Sequence, residues 1–260
     1  MKIAVCIKQV PSTNKVRMDP VTNTIIRDGK DAVINPYDLF ALELAITLSE
    51  RYGAHVTAFS MGIPATESLL RDAVARGISG AVLLTDRAFA GADTLATSYT
   101  LARGIASAGK FDLILCGRMA IDGDTAQIGP ELAEALGIPH VSGVSEIISL
   151  SENKAIAVRL TDSAAETLEI ALPALLTIQK DINIPRMPSI AGIRRSLAEG
   201  FTLKRAADIS ADPRRLGLDG SPTQVVRTFV PQADKLSETI EGTAAEKTAK
   251  LLGIIGEVRK

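Results

Sequence analysis

Short apolar runs and longer helical patterns alternate along the first 137 residues. The apolar runs cover residues 3–7, 55–60, 81–85 and 111–116. Continuous runs of this length are typical of strands that are buried on both faces of a parallel sheet. The helical patterns between them carry apolar residues at helical spacing and end at glycines. This repeated order predicts a Rossmann-like α/β fold, with a mostly parallel sheet covered by helices.

The pattern changes after about residue 139. Four apolar runs separated by tight turns follow at residues 141–150, 155–160, 166–172 and 174–179. Their short connections predict an antiparallel extension of the same sheet. A hairpin is also expected within residues 16–27, where a turn-forming tetrapeptide separates two strand-like segments.

The carboxyl-terminal part of the chain loses this periodicity. Residues 185–190 have the composition of a loop, residues 206–236 contain few core-forming positions, and a last helix is expected at about 240–258. We therefore predict an α/β nucleotide-binding domain at residues 1–190, an extended arm at 191–236 and a C-terminal helix at 237–260. Such a tail does not bury enough apolar surface to order itself, so we expect it to embrace a partner protein. Partial disorder is the alternative.

Composition and charge narrow the classes of function. The chain has 260 residues, of which 46% are hydrophobic, and a net charge of −1, so nothing favours binding to nucleic acid. Aromatic residues make up only 3%, which also argues against base stacking. The first residues form a strand rather than a signal peptide, and no apolar run is long enough to span a membrane. We expect a cytoplasmic protein without membrane insertion.

The residue types do not suggest catalysis by side chains. The two cysteines and two histidines lack metal-ligand spacing, so no metal site is expected. No nucleophile–base pair has a recognisable signature either. Any redox chemistry would therefore need a cofactor.

Small and polar residues follow the predicted strands where these end. The segments are 6–9, 35–38, 60–62, 91–98 and 117–128. Neither a G-x-G-x-x-G turn nor a P-loop is present, but in a parallel sheet these segments gather at one edge, where helix N-termini bind phosphates. The candidate cofactor-binding residues are Cys6, Lys8, Asn35, Asp38, Met61, Asp93, Thr94, Thr97, Gly117, Ala120, Asp122, Gly123, Asp124, Thr125, Ala126, Gln127 and Ile128. Asn35 and Asp93 are also expected to be helix N-caps.

Two other interpretations of these segments stay open. Each one alone is consistent with ordinary helix capping and tight turns. Residues 122–125, Asp-Gly-Asp-Thr, also resemble a phosphotransfer motif whose paired carboxylates hold Mg²⁺. The residues between this motif and the preceding strand argue against that alternative, because such a motif belongs at the strand end.

Several motifs resemble those of the electron transfer flavoprotein beta subunit. They are residues 2–11, 27–29, 35–38 with Ala41 and Glu43, 120–127, 185–186, 189–190 and 220–225. The resemblance covers nearly the whole chain, and residues 117–131 are its most specific part. It implies a fold related to adenine nucleotide hydrolase-like domains, and a heterodimer with an alpha subunit that carries the electron-transferring FAD.

The resemblance leaves two cofactors for the beta subunit's own site. Ordinary members hold a structural AMP, whereas electron-bifurcating members hold a second FAD, which accepts hydride from NADH. Residues 91–98 and 122–125 are similar to the bifurcating group, and the hydroxyls of Thr94 and Thr97 are expected to meet the part of FAD that AMP lacks. We therefore favour FAD over AMP. Met119 departs from the glutamine expected in many relatives.

The resemblance also implies a docking site for a partner dehydrogenase. Residues 185–195 correspond to the family's recognition loop for acyl-CoA dehydrogenase-type or other flavoprotein dehydrogenases. Ile190 is expected to be its apolar partner-binding residue, although a buried anchor within the loop is the other interpretation. A stand-alone nucleotide-binding regulator, similar to universal stress proteins, is a more distant hypothesis.

Overall fold

The computed structural model describes residues 1–12, 32–198, 201–226 and 239–258. The hairpin expected at residues 16–27 and the motif at 27–29 lie outside the described residues. The chain divides into two compact units, Met1–Val226 and Arg227–Lys260.

The elements of the first unit follow the predicted alternation of strands and helices. The strands are β1 (Lys2–Cys6), β2 (Gln9–Pro11), β3 (Ala32–Ile34), β4 (His55–Met61), β5 (Gly80–Leu84), β6 (Leu113–Gly117), β7 (His140–Leu150), β8 (Lys154–Leu160), β9 (Ala165–Ala171), β10 (Ala174–Ile178) and β11 (Thr202–Lys204). The helices are α1 (Pro36–Tyr52), α2 (Glu67–Arg76), α3 (Thr94–Ala108), α4 (Ile128–Leu136) and α5 (Ile190–Ala198). Short 3₁₀ turns lie at Pro64–Thr66, Arg87–Phe89, Ala207–Ile209 and Pro213–Arg215.

In the part of the chain that the structure describes, nine strands form one sheet in the order β11-β5-β4-β1-β6-β10-β7-β8-β9. All neighbours from β11 to β7 are parallel, and β8 and β9 add an antiparallel extension. The short strands β2 and β3 pair separately. The predicted fold class is confirmed: a mostly parallel α/β sheet with an antiparallel extension.

The position of β10 corrects one detail of the prediction. We expected it to belong to the antiparallel extension, but it lies between β6 and β7 and is parallel to both. All five of its residues are buried, whereas exposed and half-buried positions alternate along most of β9. A strand that is buried at every position suits the centre of a sheet with helices on both faces, and an alternating strand suits an edge.

Helices cover both faces of the sheet and close two apolar cores. One core joins α1 and α2 to one face of the strands, and the other joins α3 and α4 to the opposite face. The carboxyl ends of the central strands stay open between these layers, at the start of the helices that follow them. This arrangement is the usual location of ligand sites in open α/β sheets.

The first unit continues well beyond residue 190. Residues 190–198, which we assigned to a loop and the start of an extended arm, form α5 and pack on α2. Arg195 Nη2 donates to the carbonyls of Val74 (2.7 Å) and Ile78 (3.0 Å), at the end of α2 and just beyond it. Strand β11 then pairs with β5 at the edge of the sheet. These contacts join residues 191–198 and 201–226 to the α/β unit, so the first compact unit ends at Val226 rather than at residue 190.

The second unit contains one described helix, α6 (Ala244–Val258). It begins at Ala244 rather than at residue 240, because Thr243 and Glu246 form a reciprocal cap. The N–H of Thr243 donates to Glu246 Oε2 (2.8 Å), and the N–H of Glu246 donates to Thr243 Oγ1 (3.4 Å). Within the described residues, no helix is long and apolar enough to cross a membrane.

Candidate functional site

The predicted site segments meet at one edge of the sheet. Cys6 at the end of β1 is in register with Phe59 of β4 on one side and with Cys116 of β6 on the other. The residues that follow these three strands are therefore neighbours. The N-termini of α1, α3 and α4 open at the same edge, which fits the site geometry that the sequence suggested.

Asn35 connects the start of α1 to the segment after β6. Its side chain is buried, and Nδ2 donates to the carbonyl of Met119 (2.8 Å) while Oδ1 accepts from the N–H of Ile121 (3.3 Å). Asn35 stands at the N-cap position of α1, but its side chain does not cap that helix. Its expected capping role is thus replaced by a hold on the segment 117–128, which we call the cradle loop.

Asp38 forms a second link at the same point. Its Oδ2 accepts from the N–H of Lys8 (2.7 Å), and its side chain is buried against Gly117. A Cβ on Gly117 would lie 2.7 Å from the carbonyl carbon of Tyr37 and 2.8 Å from the nitrogen of Asp38, so only glycine fits. Burial raises the pKa of Asp38 to about 7, although hydrogen bonds from Lys8, Asn35 and Gly117 favour the charged form.

The cradle loop itself faces outward. Residues 121–127 are exposed, and a Cβ on Gly123 would meet nothing within 4 Å. Asp124 and Ala126 adopt left-handed φ values of 53° and 54°, which cost energy in residues other than glycine. Where left-handed residues alternate with right-handed ones, successive backbone N–H groups point to the same side and form an anion-binding concavity. The geometry therefore suits a ligand that contacts the backbone closely.

An ion pair between Lys8 and Asp122 neutralises part of the negative charge of the cradle loop. Lys8 Nζ lies 2.7 Å from Asp122 Oδ1, so the side chain of Lys8 spans from the end of β1 to the cradle loop. Because Asp122 is paired with an ammonium group, it repels a phosphate less than a free carboxylate would. The pair also bears on the phosphotransfer alternative, since one of the two carboxylates of that motif is already engaged.

The N-termini of α3 and α4 are joined by side-chain hydrogen bonds. Thr94 Oγ1 donates to Glu131 Oε1 (3.1 Å) and lies 3.3 Å from Gln127 Oε1. Ser98 Oγ donates to the other carboxylate oxygen of Glu131, Oε2 (3.1 Å). Asp93 caps α3, because its Oδ1 accepts from the N–H of Ala96 (3.0 Å). The cap at Asp93 was predicted, whereas Glu131 was not among the candidate residues. An acidic side chain in the first turn of α4 is a local sign of a helix start, but it does not reveal the hydrogen-bond partners of Glu131. These partners, Thr94 and Ser98, lie more than thirty residues earlier in the chain.

The remaining candidate residues fall into two groups. Cys6 is buried in the core beside Cys116, which was not a candidate; hydrogen bonding with Cys6 together with burial holds the pKa of the Cys116 thiol well above its usual range. Any contact between Cys6 and a ligand would therefore use its backbone. The others lie at this edge of the sheet. Met61 ends β4 and Thr97 lies in the first turn of α3. Ala120 and Thr125 lie in the cradle loop, and Ile128 begins α4.

Ile190 lies away from the cradle loop, at the first position of α5. Its side chain is 76% exposed, so it does not anchor the loop from inside. The segment before it is fixed by Arg186, whose Nη2 lies 2.9 Å from Glu43 Oε1 and whose Nη1 lies 2.5 Å from Glu50 Oε1. The hydrogen bond from Arg186 lowers the pKa of Glu50. An ordered segment therefore presents an exposed aliphatic side chain.

Comparison with known proteins identifies the family. A model of the electron transfer flavoprotein domain matches residues 22–204. The chain is also 46% identical over 253 residues to the electron transfer flavoprotein subunit beta of Thermoanaerobacterium thermosaccharolyticum, an alignment that covers 97% of this chain and 96% of that protein. The chain is a beta-subunit member of the electron transfer flavoprotein family.

Two further relatives widen the comparison. The caffeyl-CoA reductase-Etf complex subunit CarD of Acetobacterium woodii is 45% identical over 250 residues, which cover 96% of this chain and 95% of that protein. Protein FixA of Azorhizobium caulinodans is 40% identical over 267 residues, which cover 100% of this chain and 94% of that protein. The resemblance inferred from the motifs is thus confirmed. Membership implies electron transfer together with an alpha subunit, and it favours this function over a stand-alone regulator.

Proposed function

We propose that this beta subunit binds FAD at the cradle loop and takes part in flavin-based electron bifurcation. The observation that carries the proposal is the junction of two helix N-termini, where Thr94 of α3 reaches both Gln127 and Glu131 at the start of α4. One helix N-terminus suits one phosphate group. Two adjacent N-termini beside an exposed backbone loop suit the pyrophosphate of a dinucleotide better than the single phosphate of AMP.

The residues of the site fit such a ligand in three respects. The space at Gly123 admits close approach to the backbone, the left-handed residues Asp124 and Ala126 shape an anion-binding concavity, and Lys8 neutralises the carboxylate of Asp122. A bound flavin would supply hydride and single-electron chemistry. The chain's own contribution is to hold the phosphates and the ribityl chain, with Asn35 and Asp38 fixing the loop from behind.

The electron donors and acceptors belong to the same proposal. We propose NADH as donor, and an acyl-CoA dehydrogenase-type or other flavoprotein dehydrogenase as the docking partner that contacts Ile190. Two features support the choice of docking partner, whereas NADH is proposed from the similarity of residues 91–98 and 122–125 to the bifurcating group. Ile190 is exposed on an ordered segment, and the relative CarD is named as part of a caffeyl-CoA reductase complex.

Valine substitutions at Thr94 and Thr97 test the cofactor assignment. Each removes a hydroxyl from the start of α3 and keeps nearly the same shape. We expect the heterodimer with the alpha subunit to lose FAD from the beta site while the FAD of the alpha subunit stays bound. Thr167→Val is a matched control, because Thr167 lies exposed in β9 and away from the strand ends that form the site.

The readout is the amount of FAD and AMP released from each purified heterodimer. Loss of FAD from the Thr94 and Thr97 variants, with the Thr167 variant unchanged, supports the proposal. Unchanged FAD in all three variants removes these hydroxyls from the site. Release of AMP in place of the second FAD would assign the site to the non-bifurcating type.

A further inference from the structure

Asp93 makes more contacts than a helix cap requires. Besides Ala96 at the start of α3, its carboxylate binds Thr223, whose N–H (3.1 Å) and hydroxyl (2.9 Å) both donate to Oδ2. The N–H of Asp93 in turn donates to Ser221 Oγ (2.8 Å). Partial burial raises the pKa of Asp93, but the hydrogen bonds from Ala96 and Thr223 outweigh it and lower the pKa below its usual value. The charged carboxylate therefore holds two segments that are far apart in sequence.

The segment on the far side of Asp93 is packed tightly. Gly217 has a left-handed φ of 52°, and a Cβ there would lie 2.7 Å from the carbonyl oxygen of Ala90. The N–H of Leu218 donates to that same carbonyl (3.0 Å), and Ser221 Oγ donates to the carbonyl of Gly217 (2.7 Å). Residues 217–223 thus follow the loop before α3 closely. Three residues later, at Val226, the first unit ends.

The near side of Asp93 leads directly to the proposed nucleotide site. Thr94 is the next residue and reaches Gln127 and Glu131 at the start of α4. A ligand that binds between these N-termini would contact the start of α3. Asp93 caps that helix and also holds Thr223, so it connects this contact to residues 221–226.

We propose that Asp93 is a positioning residue that couples nucleotide binding to association with the alpha subunit. The inference rests on the proposed function, since it requires a nucleotide at the cradle loop and a C-terminal unit that packs on the partner. If nucleotide orders residues 221–226 for docking, it tightens the heterodimer. By reciprocity, the alpha subunit then tightens nucleotide binding by the same factor.

Two substitutions separate this role from simple helix capping. Asp93→Asn keeps an oxygen for the N–H of Ala96, but it replaces the acceptor at Thr223 by a donor. Thr223→Val removes the hydroxyl bond and leaves the cap intact, so it carries the test if the Asp93 variant does not fold. Asp212→Asn is the matched control, because Asp212 caps the 3₁₀ turn at Pro213–Arg215 through the N–H of Arg214.

The measurement is the dissociation constant of the complex between the full-length chain and its alpha subunit, which is first loaded with its own FAD. It is measured without added nucleotide, with saturating FAD and with saturating AMP. Couplings between two sites commonly reach about 5- to 150-fold. We expect nucleotide to tighten the wild-type complex and the Asp212 variant by about fivefold or more, and the Asp93 and Thr223 variants by less than about twofold. Hydrogen exchange at residues 221–223 should slow with nucleotide only where coupling is retained.

Two contrary results are distinguishable. If the wild-type chain binds FAD or AMP but its affinity for the alpha subunit does not change, or if both Asp93 and Thr223 variants couple as the wild type does, the coupling role is overturned and the proposed function stands. If the wild-type heterodimer binds neither nucleotide at the beta site, the proposed function fails and this inference fails with it.

Discussion

Replacement of Asn35 by alanine tests whether the cradle loop is held from behind by α1. The substitution removes two hydrogen bonds, to the carbonyl of Met119 (2.8 Å) and from the N–H of Ile121 (3.3 Å). A net value of about 1 kcal/mol for each bond predicts a loss of about 2 kcal/mol in the free energy of unfolding. Because both bonds end in the cradle loop, we also expect weaker nucleotide binding and faster hydrogen exchange at residues 118–123.

Asn183→Ala is the matched control for this prediction. Asn183 Nδ2 donates to the carbonyl of Phe40 (2.9 Å), a bond that also holds a loop to α1 but lies outside the proposed site. We expect urea denaturation to show a loss of about 1 kcal/mol for this variant, with nucleotide affinity unchanged. If Asn35→Ala unfolds like the wild type, or if both variants weaken nucleotide binding equally, Asn35 does not hold the cradle loop from behind.

Three further predictions follow from the same contacts. Gly117→Ala should destabilise the fold by about 1–3 kcal/mol in urea denaturation, because its Cβ meets backbone atoms, whereas Gly123→Ala should leave stability within about 0.5 kcal/mol and weaken nucleotide binding. In the folded chain the pKa of Asp38 is about 7, above its ordinary value of 3.8, so ionisation of this carboxyl opposes folding. The free energy of unfolding should therefore fall from about pH 4 to pH 7. Asp38→Asn should flatten that slope in denaturation curves recorded across this range. Ile190→Ala should slow electron exchange with the partner dehydrogenase while thermal unfolding stays unchanged, since the side chain is exposed; equal rates would exclude it from docking.

Elements with local signals were predictable from the sequence. Buried runs gave β1, β4, β5 and β6, and the cap at Asp93 was predicted because its partner lies only three residues away. Asn35 was different. Its side chain binds residues that follow more than eighty positions later, so the local pattern indicated a cap that the structure does not make. Long-range partners of this kind leave no periodic signal.

Helix α5 shows how packing can override local preference. Residues 190–198 were predicted as a loop and the start of an extended arm, and glycine at position 192 is itself unfavourable in a helix. In the structure, a Cβ on Gly192 would collide with the carbonyl of Ala75, so the glycine permits close approach of α5 to α2. A residue that is unfavourable in an isolated helix is thus the one that the tertiary contact requires. The acidic partner of Thr94, Glu131, was omitted for a similar reason, since only the fold brings α3 and α4 together.

The central claim is that the cradle loop and the two adjacent helix N-termini hold a dinucleotide. The most direct test is to purify the chain with its alpha subunit, denature the heterodimer, and quantify the released FAD and AMP by chromatography. We expect two FAD molecules and no AMP for each heterodimer. One FAD and one AMP would contradict it.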